Sequence, residues 1–204
     1  METSKLTLIA GWSAIASAVF SIMGFVFIGI FFTVGQPFGT LNDLFGGLLL
    51  SLSMVPIVFA LHRLLSPRQS ALGILALGIG LAAMSVFAIA AASVMLKTLG
   101  VLSFAEPRPG TGPLGLGLYA PGLVGVWLIL ISTASLTSRS LPPVLASIGL
   151  ATGVGYVLVI IGFSMAGPQS PLVIVAGLLT AIGYPVWAIW LGRLLLRGLV
   201  TREA

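Results

Sequence analysis

Residues 71–96 read ALGILALGIGLAAMSVFAIAAASVML, and this stretch decides the fold. No charge interrupts it, and its only polar side chains are the hydroxyls of Ser85 and Ser93. A bilayer core is about 30 Å thick, so roughly 20 apolar residues in a helix span it. In hydrocarbon each backbone N–H and C=O needs a partner within the protein, and a helix supplies one from its own chain. A membrane β-barrel would instead show segments of about ten residues with alternating polarity, which are absent. The stretch is therefore read as a spanning helix over about 71–99.

Working outward, five further stretches have the same character: about 6–34, 41–65, 114–136, 142–166 and 171–196. Turn chemistry separates them. Gly35-Gln36-Pro37-Phe38-Gly39 follows the first and Ser66-Pro67-Arg68-Gln69-Ser70 the second. The run Glu106-Pro107-Arg108-Pro109-Gly110-Thr111-Gly112-Pro113 follows the third. Ser138-Arg139-Ser140 precedes the fifth, and Gly167-Pro168-Gln169-Ser170-Pro171 the sixth. Proline lacks an amide donor and glycine frees the backbone, so such clusters punctuate helices. Residues 1–204 are thus expected to form one all-α domain, a polytopic transmembrane helical bundle of about six spans.

Composition agrees. The chain is 58% hydrophobic and 6% charged, whereas an ordinary soluble domain carries about 25% charged residues. Lys5, the apolar run after it and Ala16-Ser17-Ala18 have the outline of a secretory signal. The apolar run continues to Phe32, however, beyond the 7–15 residues typical of a signal peptide, which favours a retained spanning helix.

Orientation follows from the nine basic residues. With the amino terminus inside, Lys5, Arg63, Arg68, Arg139, Arg193, Arg197 and Arg202 are cytoplasmic, and only Lys97 and Arg108 lie outside. An excess of Lys and Arg marks cytoplasmic loops, so both termini are expected in the cytoplasm. Arg193 and Arg197, four residues apart, are expected to snorkel to anionic headgroups. The net charge of +5 therefore points to membrane lipids as partners and not to nucleic acid. Further copies of the chain or other membrane subunits are the remaining candidate partners.

Leucine burial does not drive association in lipid; close backbone approach and polar contacts do. Small residues four apart are the candidate contact faces: Ala14 with Ala18, Ala76 with Gly80, Gly149 with Gly153, Ala151 with Gly155, and Gly177 with Ala181. Pro56, Pro121 and Pro185 recur in the even-numbered helices, 65 and 64 residues apart. This spacing fits either a tripled hairpin or chance. Ser53 and Thr180 are candidates to satisfy carbonyls that the prolines free.

The chain has no cysteine and one histidine, His62. That excludes disulfides, thiolate metal sites and paired-histidine ligation, and no metal or other cofactor is expected. No catalytic set emerges. Ser164 and His62 fall at opposite ends of the bundle, so they do not form a nucleophile–base pair. Asp43 is the one acid near a helix, and Thr40-Leu41-Asn42-Asp43 has the spacing of a capping box. A pairing of Asp43 with Lys97 near the outer face is the functional alternative. Tyr156 and Tyr184, with Thr152 and Thr180, are candidates to line a cavity for an uncharged lipid, quinone or isoprenoid. Tyr119 joins Asp43 and Lys97 in the set that a lipid-modifying enzyme would need.

Gly35-Gln36-Pro37-Phe38-Gly39-Thr40-Leu41-Asn42-Asp43, followed by Leu61-His62-Arg63-Leu64-Leu65, resembles a group of bacterial six-helix integral membrane proteins of unknown function. The resemblance implies a bacterial cytoplasmic membrane and carries over no activity, cofactor or catalytic residue. The leading expectation is a non-enzymatic bundle that binds lipophilic molecules or serves as a subunit of a membrane complex. A small transporter or channel is the alternative, and a membrane-embedded lipid-modifying enzyme a weaker one.

Overall fold

The computed structural model describes residues 5–65, 70–102, 113–167 and 169–198. All regular structure among these residues is helical. Six helices are long and apolar enough to cross a membrane: α1 (Lys5–Val34), α2 (Phe38–Leu65), α3 (Ser70–Thr98), α4 (Pro113–Ser138), α5 (Pro143–Ala166) and α6 (Pro171–Leu196). Most of the third connection, with Glu106 and Arg108, lies outside the described residues, as do Arg68 and Arg202.

Each helix packs against its neighbours in the chain, and α6 returns onto α1, so the six close into a ring. What sorts the faces is size, because the helices are apolar all round. The buried stripe of α1 is Ala10, Gly11, Ala14, Ser17, Ala18, Ser21 and Gly24, while Leu8, Trp12, Val19 and Val26 face outward. Lipid solvates large side chains as well as the protein interior does, whereas only small ones let two backbones touch.

A glycine stands at every seam of the ring. A Cβ on Gly24 would lie 2.5 Å from the Gly46 Cα, closing α1 on α2. On Gly47 it would meet the Ala91 Cβ at 2.5 Å, and on Gly80 the Trp127 Nε1 at 2.6 Å, closing α2 on α3 and α3 on α4. Gly125 and Gly153 face each other across α4 and α5, each hypothetical Cβ within 2.7 Å of the other's carbonyl oxygen. Gly183 abuts Thr152 between α5 and α6, and Gly192 lies against the Gly11 carbonyl between α6 and α1.

Two expected contact faces differ. Ala151 is exposed, so only Gly155 of its pair packs, against Thr180 and Leu179. Gly177 touches nothing within 4 Å of a Cβ position, so Gly177 and Ala181 do not form a seam.

The start of α2 also departs from expectation. The helix begins at Phe38, before Thr40, and its N-cap residue, Pro37, makes no side-chain hydrogen bond to it. Thr40 donates through its amide and hydroxyl to Gln36 Oε1 at 3.2 and 3.1 Å. Gln36 thus satisfies the first turn from outside the helix, which removes the capping-box role of Thr40 and Asp43. Asp43–Leu49 is a π-helical stretch. It carries consecutive glycines, Gly46 and Gly47, that touch α1 and α3 respectively.

Helices α2, α4 and α6 run unbroken through Pro56, Pro121 and Pro185. The expected hydroxyl relief does not occur there. Ser53 donates to the Leu50 carbonyl at 2.7 Å and Thr180 to Gly177 at 2.9 Å. Neither is the carbonyl four residues before a proline, because a hydroxyl on a helix reaches the turn preceding its own residue. The His62 Nδ1 lies 3.0 Å from the Gly73 carbonyl. When it carries the proton, that nitrogen ties the end of α2 to the start of α3.

Candidate functional site

Among the described residues, the fully buried large side chains lie toward one end of the ring and in its middle. Met54, Ile57, Leu61, Leu65, Leu128, Ile131, Leu145 and Leu191 are among them. At the centre an aromatic ladder crosses the bundle. Trp127 meets Trp187 edge-on at 6.2 Å, Trp187 neighbours Tyr184 at 6.1 Å, and Tyr184 meets Tyr156 at 6.5 Å. Tyr184 is wholly buried and donates to Ser17 Oγ at 2.9 Å, while Ser17 donates to the Ala14 carbonyl at 2.8 Å. This relay joins α6 to α1 and forms a floor.

One turn above that floor lies a cavity of about 220 Å³ to which all six helices contribute. Its walls are Ser21, Gly24, Phe25 and Ile28 of α1, Asn42, Gly46 and Leu50 of α2, and Phe87 of α3. Pro121 of α4, Tyr156 and Val159 of α5, and Gly177 and Thr180 of α6 complete them. The polar groups are three hydroxyls and one carboxamide, and no charged side chain takes part.

Local sequence explains the space. At this level α1 and α2 present Ser21, Gly24 and Gly46, and α6 presents Gly177, so the ring closes without filling its axis. The Asn42 carboxamide oxygen sits over the α1–α2 contact, 3.1 Å from a Cβ position on Gly46 and 3.6 Å from one on Gly24. The π-helical stretch begins immediately after Asn42. Such wide turns are frequent at functional sites.

The candidate residues fall in different places. Tyr156 and Thr180 are in the cavity wall; Tyr184 lies in the floor beneath it, and Thr152 packs against Gly183 at the α5–α6 seam. Asp43 is half-buried beside the cavity, with Asn42 Nδ2 at 3.5 Å from its Oδ1. Lys97 is exposed at the end of α3, and no ion pair between it and Asp43 is present. Tyr119 is exposed and lines a separate depression with Ile160, Phe163 and Ser164. Neither Asp43 nor Lys97 takes part in that depression. No group of three or more possible metal ligands occurs among the described residues.

Sequence reading did not single out Ser21, Asn42, Phe25 or Phe87. Small and polar residues at 17, 21 and 24 were the available signal for α1, but on one strand of sequence they read as packing.

Together, six membrane-length apolar helices and an uncharged recess lined by all of them are the features of a multi-pass membrane protein with a pocket between its helices. No protein-family model, curated protein or solved structure matches the chain.

Proposed function

We propose that this protein is a non-enzymatic bundle of the bacterial cytoplasmic membrane, with both termini in the cytoplasm, that holds a small lipophilic molecule inside its ring. The observation that carries the proposal is the uncharged recess to which all six helices contribute. A closely packed bundle needs no such space, since interiors ordinarily pack to crystal density. Binding sites for small molecules are concave, mostly apolar and furnished with a few placed polar groups. The positive-inside bias supports the orientation. Lys5, Arg63, Arg139, Arg193 and Arg197 stand at helix ends that alternate along the chain, while Lys97 stands at an opposite one. Trp190, Arg193 and Arg197 share a surface groove on α6, suited to an anionic headgroup.

Native mass spectrometry of protein released gently from its membrane tests the proposal. The expected spectrum contains the chain with one retained apolar molecule, lost on stronger activation. A bare chain under the mildest release would refute it.

A small transporter is the second reading, favoured by the participation of all six helices in one recess and by the prolines inside α2, α4 and α6. It expects Asp43→Asn to abolish substrate flux in reconstituted vesicles, and undiminished flux would remove it. Catalysis is not proposed, because among the described residues Tyr119 lines a depression in which neither Asp43 nor Lys97 takes part.

A further inference from the structure

Most hydroxyls in these helices are spent on their own backbone. Ser53 donates to Leu50 at 2.7 Å, Thr152 to Ile148 at 2.8 Å and Thr180 to Gly177 at 2.9 Å. Among the described residues Ser21, Ser132 and Ser135 break the pattern, and of these three only Ser21 lines the cavity. Ser21 is 2% exposed and its Oγ has no partner. Among the described residues, Asn42 in the α2 wall reaches only Asp43, at the outer limit of a hydrogen bond. Tyr156 makes a ring contact with Tyr184, and its hydroxyl has no hydrogen-bond partner among the described residues.

One chamber thus gathers a hydroxyl from α1, a carboxamide from α2 and a phenol from α5, with donors to spare. An unpaired donor in a low-dielectric site costs free energy, which an acceptor on an occupant would recover. With no charge in the wall, a phosphate or carboxylate would enter uncompensated, so the acceptor must be neutral. A carbonyl oxygen meets both conditions.

Shape narrows the class further. An apolar cavity of about 150 Å³ accommodates benzene, so about 220 Å³ holds one substituted six-membered ring. Phe25, Phe87 and Pro121 offer flat walls for it. A long hydrocarbon tail does not fit and needs an exit. The seam between α1 and α6 provides one. The two helices touch at Gly11 and Gly192, but a Cβ on Gly177 would meet nothing within 4 Å. Phe25, also in the wall, is 37% exposed on α1.

Taking the cavity as the lipophile site proposed above, we infer that it binds the ring of a neutral carbonyl lipid of the benzoquinone type, a ring oxygen between Ser21 and Asn42 and the tail leaving past Gly177.

The test uses the full chain in a mild detergent, titrated with decylubiquinone and, separately, with decylbenzene, with native mass spectrometry counting bound probe. Decylubiquinone is expected to saturate at one per chain and to bind at least tenfold tighter than decylbenzene. Ser21→Ala should weaken the quinone roughly tenfold, as loss of one buried hydrogen bond does, and leave decylbenzene unchanged. Gly177→Leu, which adds its side chain into open space, should abolish quinone binding while leaving the elution profile intact. Equal binding of both probes, indifferent to Ser21→Ala, would overturn the carbonyl assignment and leave the lipophile site standing. Saturable quinone binding that survives Gly177→Leu would overturn the tail's route. No saturable adduct with either probe would overturn this inference and the proposed function together.

Discussion

Replacing Gly153 by alanine should loosen the bundle, and its size can be worked from the α4–α5 seam. A Cβ on Gly153 would stand 2.7 Å from the Gly125 carbonyl oxygen, 2.9 Å from Ile129 Cγ1 and 3.0 Å from the Ile129 amide nitrogen. Two of these neighbours are backbone and cannot rotate away. Optimal separations are about 3.5 Å, so the helices must part by about 0.8 Å. A gap of that size forfeits a quarter to a half of each dispersion contact it opens. Overpacking of this kind costs about 1–3 kcal/mol. Alanine also favours the helix by about 0.5–1 kcal/mol over glycine, so the clean comparison is with Gly177→Ala. That variant gains the same preference and meets nothing within 4 Å. Reversible unfolding in mixed detergent and dodecyl sulfate, followed by far-ultraviolet circular dichroism, reads both. Gly153→Ala should be less stable than Gly177→Ala by about 1–3 kcal/mol. Equal stability of the two would refute the view that backbone contact at glycine holds the ring.

Further outcomes follow from the buried hydroxyls and the helix ends. Tyr184→Phe removes the donor to Ser17 and should cost about 0.6–1.7 kcal/mol in the same unfolding assay; an unchanged midpoint would show that the α6–α1 relay contributes nothing. Ser135 is buried with its Oγ unpartnered, so Ser135→Ala should be neutral or slightly stabilising, and a loss above about 1 kcal/mol would mean that an internal water or ligand uses that hydroxyl. Gln36→Ala should fray the first turn of α2, seen as faster amide exchange at Thr40, and unchanged exchange would refute the cap from Gln36. The chain has no cysteine, so single cysteines placed at Lys5 and Arg197 report topology directly. Both should react with an impermeant thiol reagent only from the cytoplasmic side, and labelling from opposite faces would overturn the orientation.

The sequence was legible wherever local chemistry decides structure. Six apolar runs bounded by Pro and Gly clusters gave the six helices, with boundaries shifted by a few residues. The seam glycines Gly80 and Gly153 were legible too, because four-residue spacing puts small residues on one face. Gly177 was misread for the same reason. Its spacing to Ala181 matches a contact face, but whether a partner backbone arrives there depends on the course of the neighbouring helices. Gln36 was missed because a capping side chain from the preceding turn leaves no fixed spacing to recognise.

What the amino-acid sequence alone determined is that this chain belongs in lipid as a set of helices, since backbone hydrogen bonding within each apolar run is a local requirement. The cavity is different. Ser21, Asn42, Phe87, Pro121, Tyr156 and Gly177 come from six separate helices, and nothing in their spacing along the chain says that they meet. Only closure of α6 onto α1 brings them together. Apolar residues cover nearly every side of the helices, so only small residues and a few buried hydroxyls mark an inward face, and close packing at glycine chose which residues point inward.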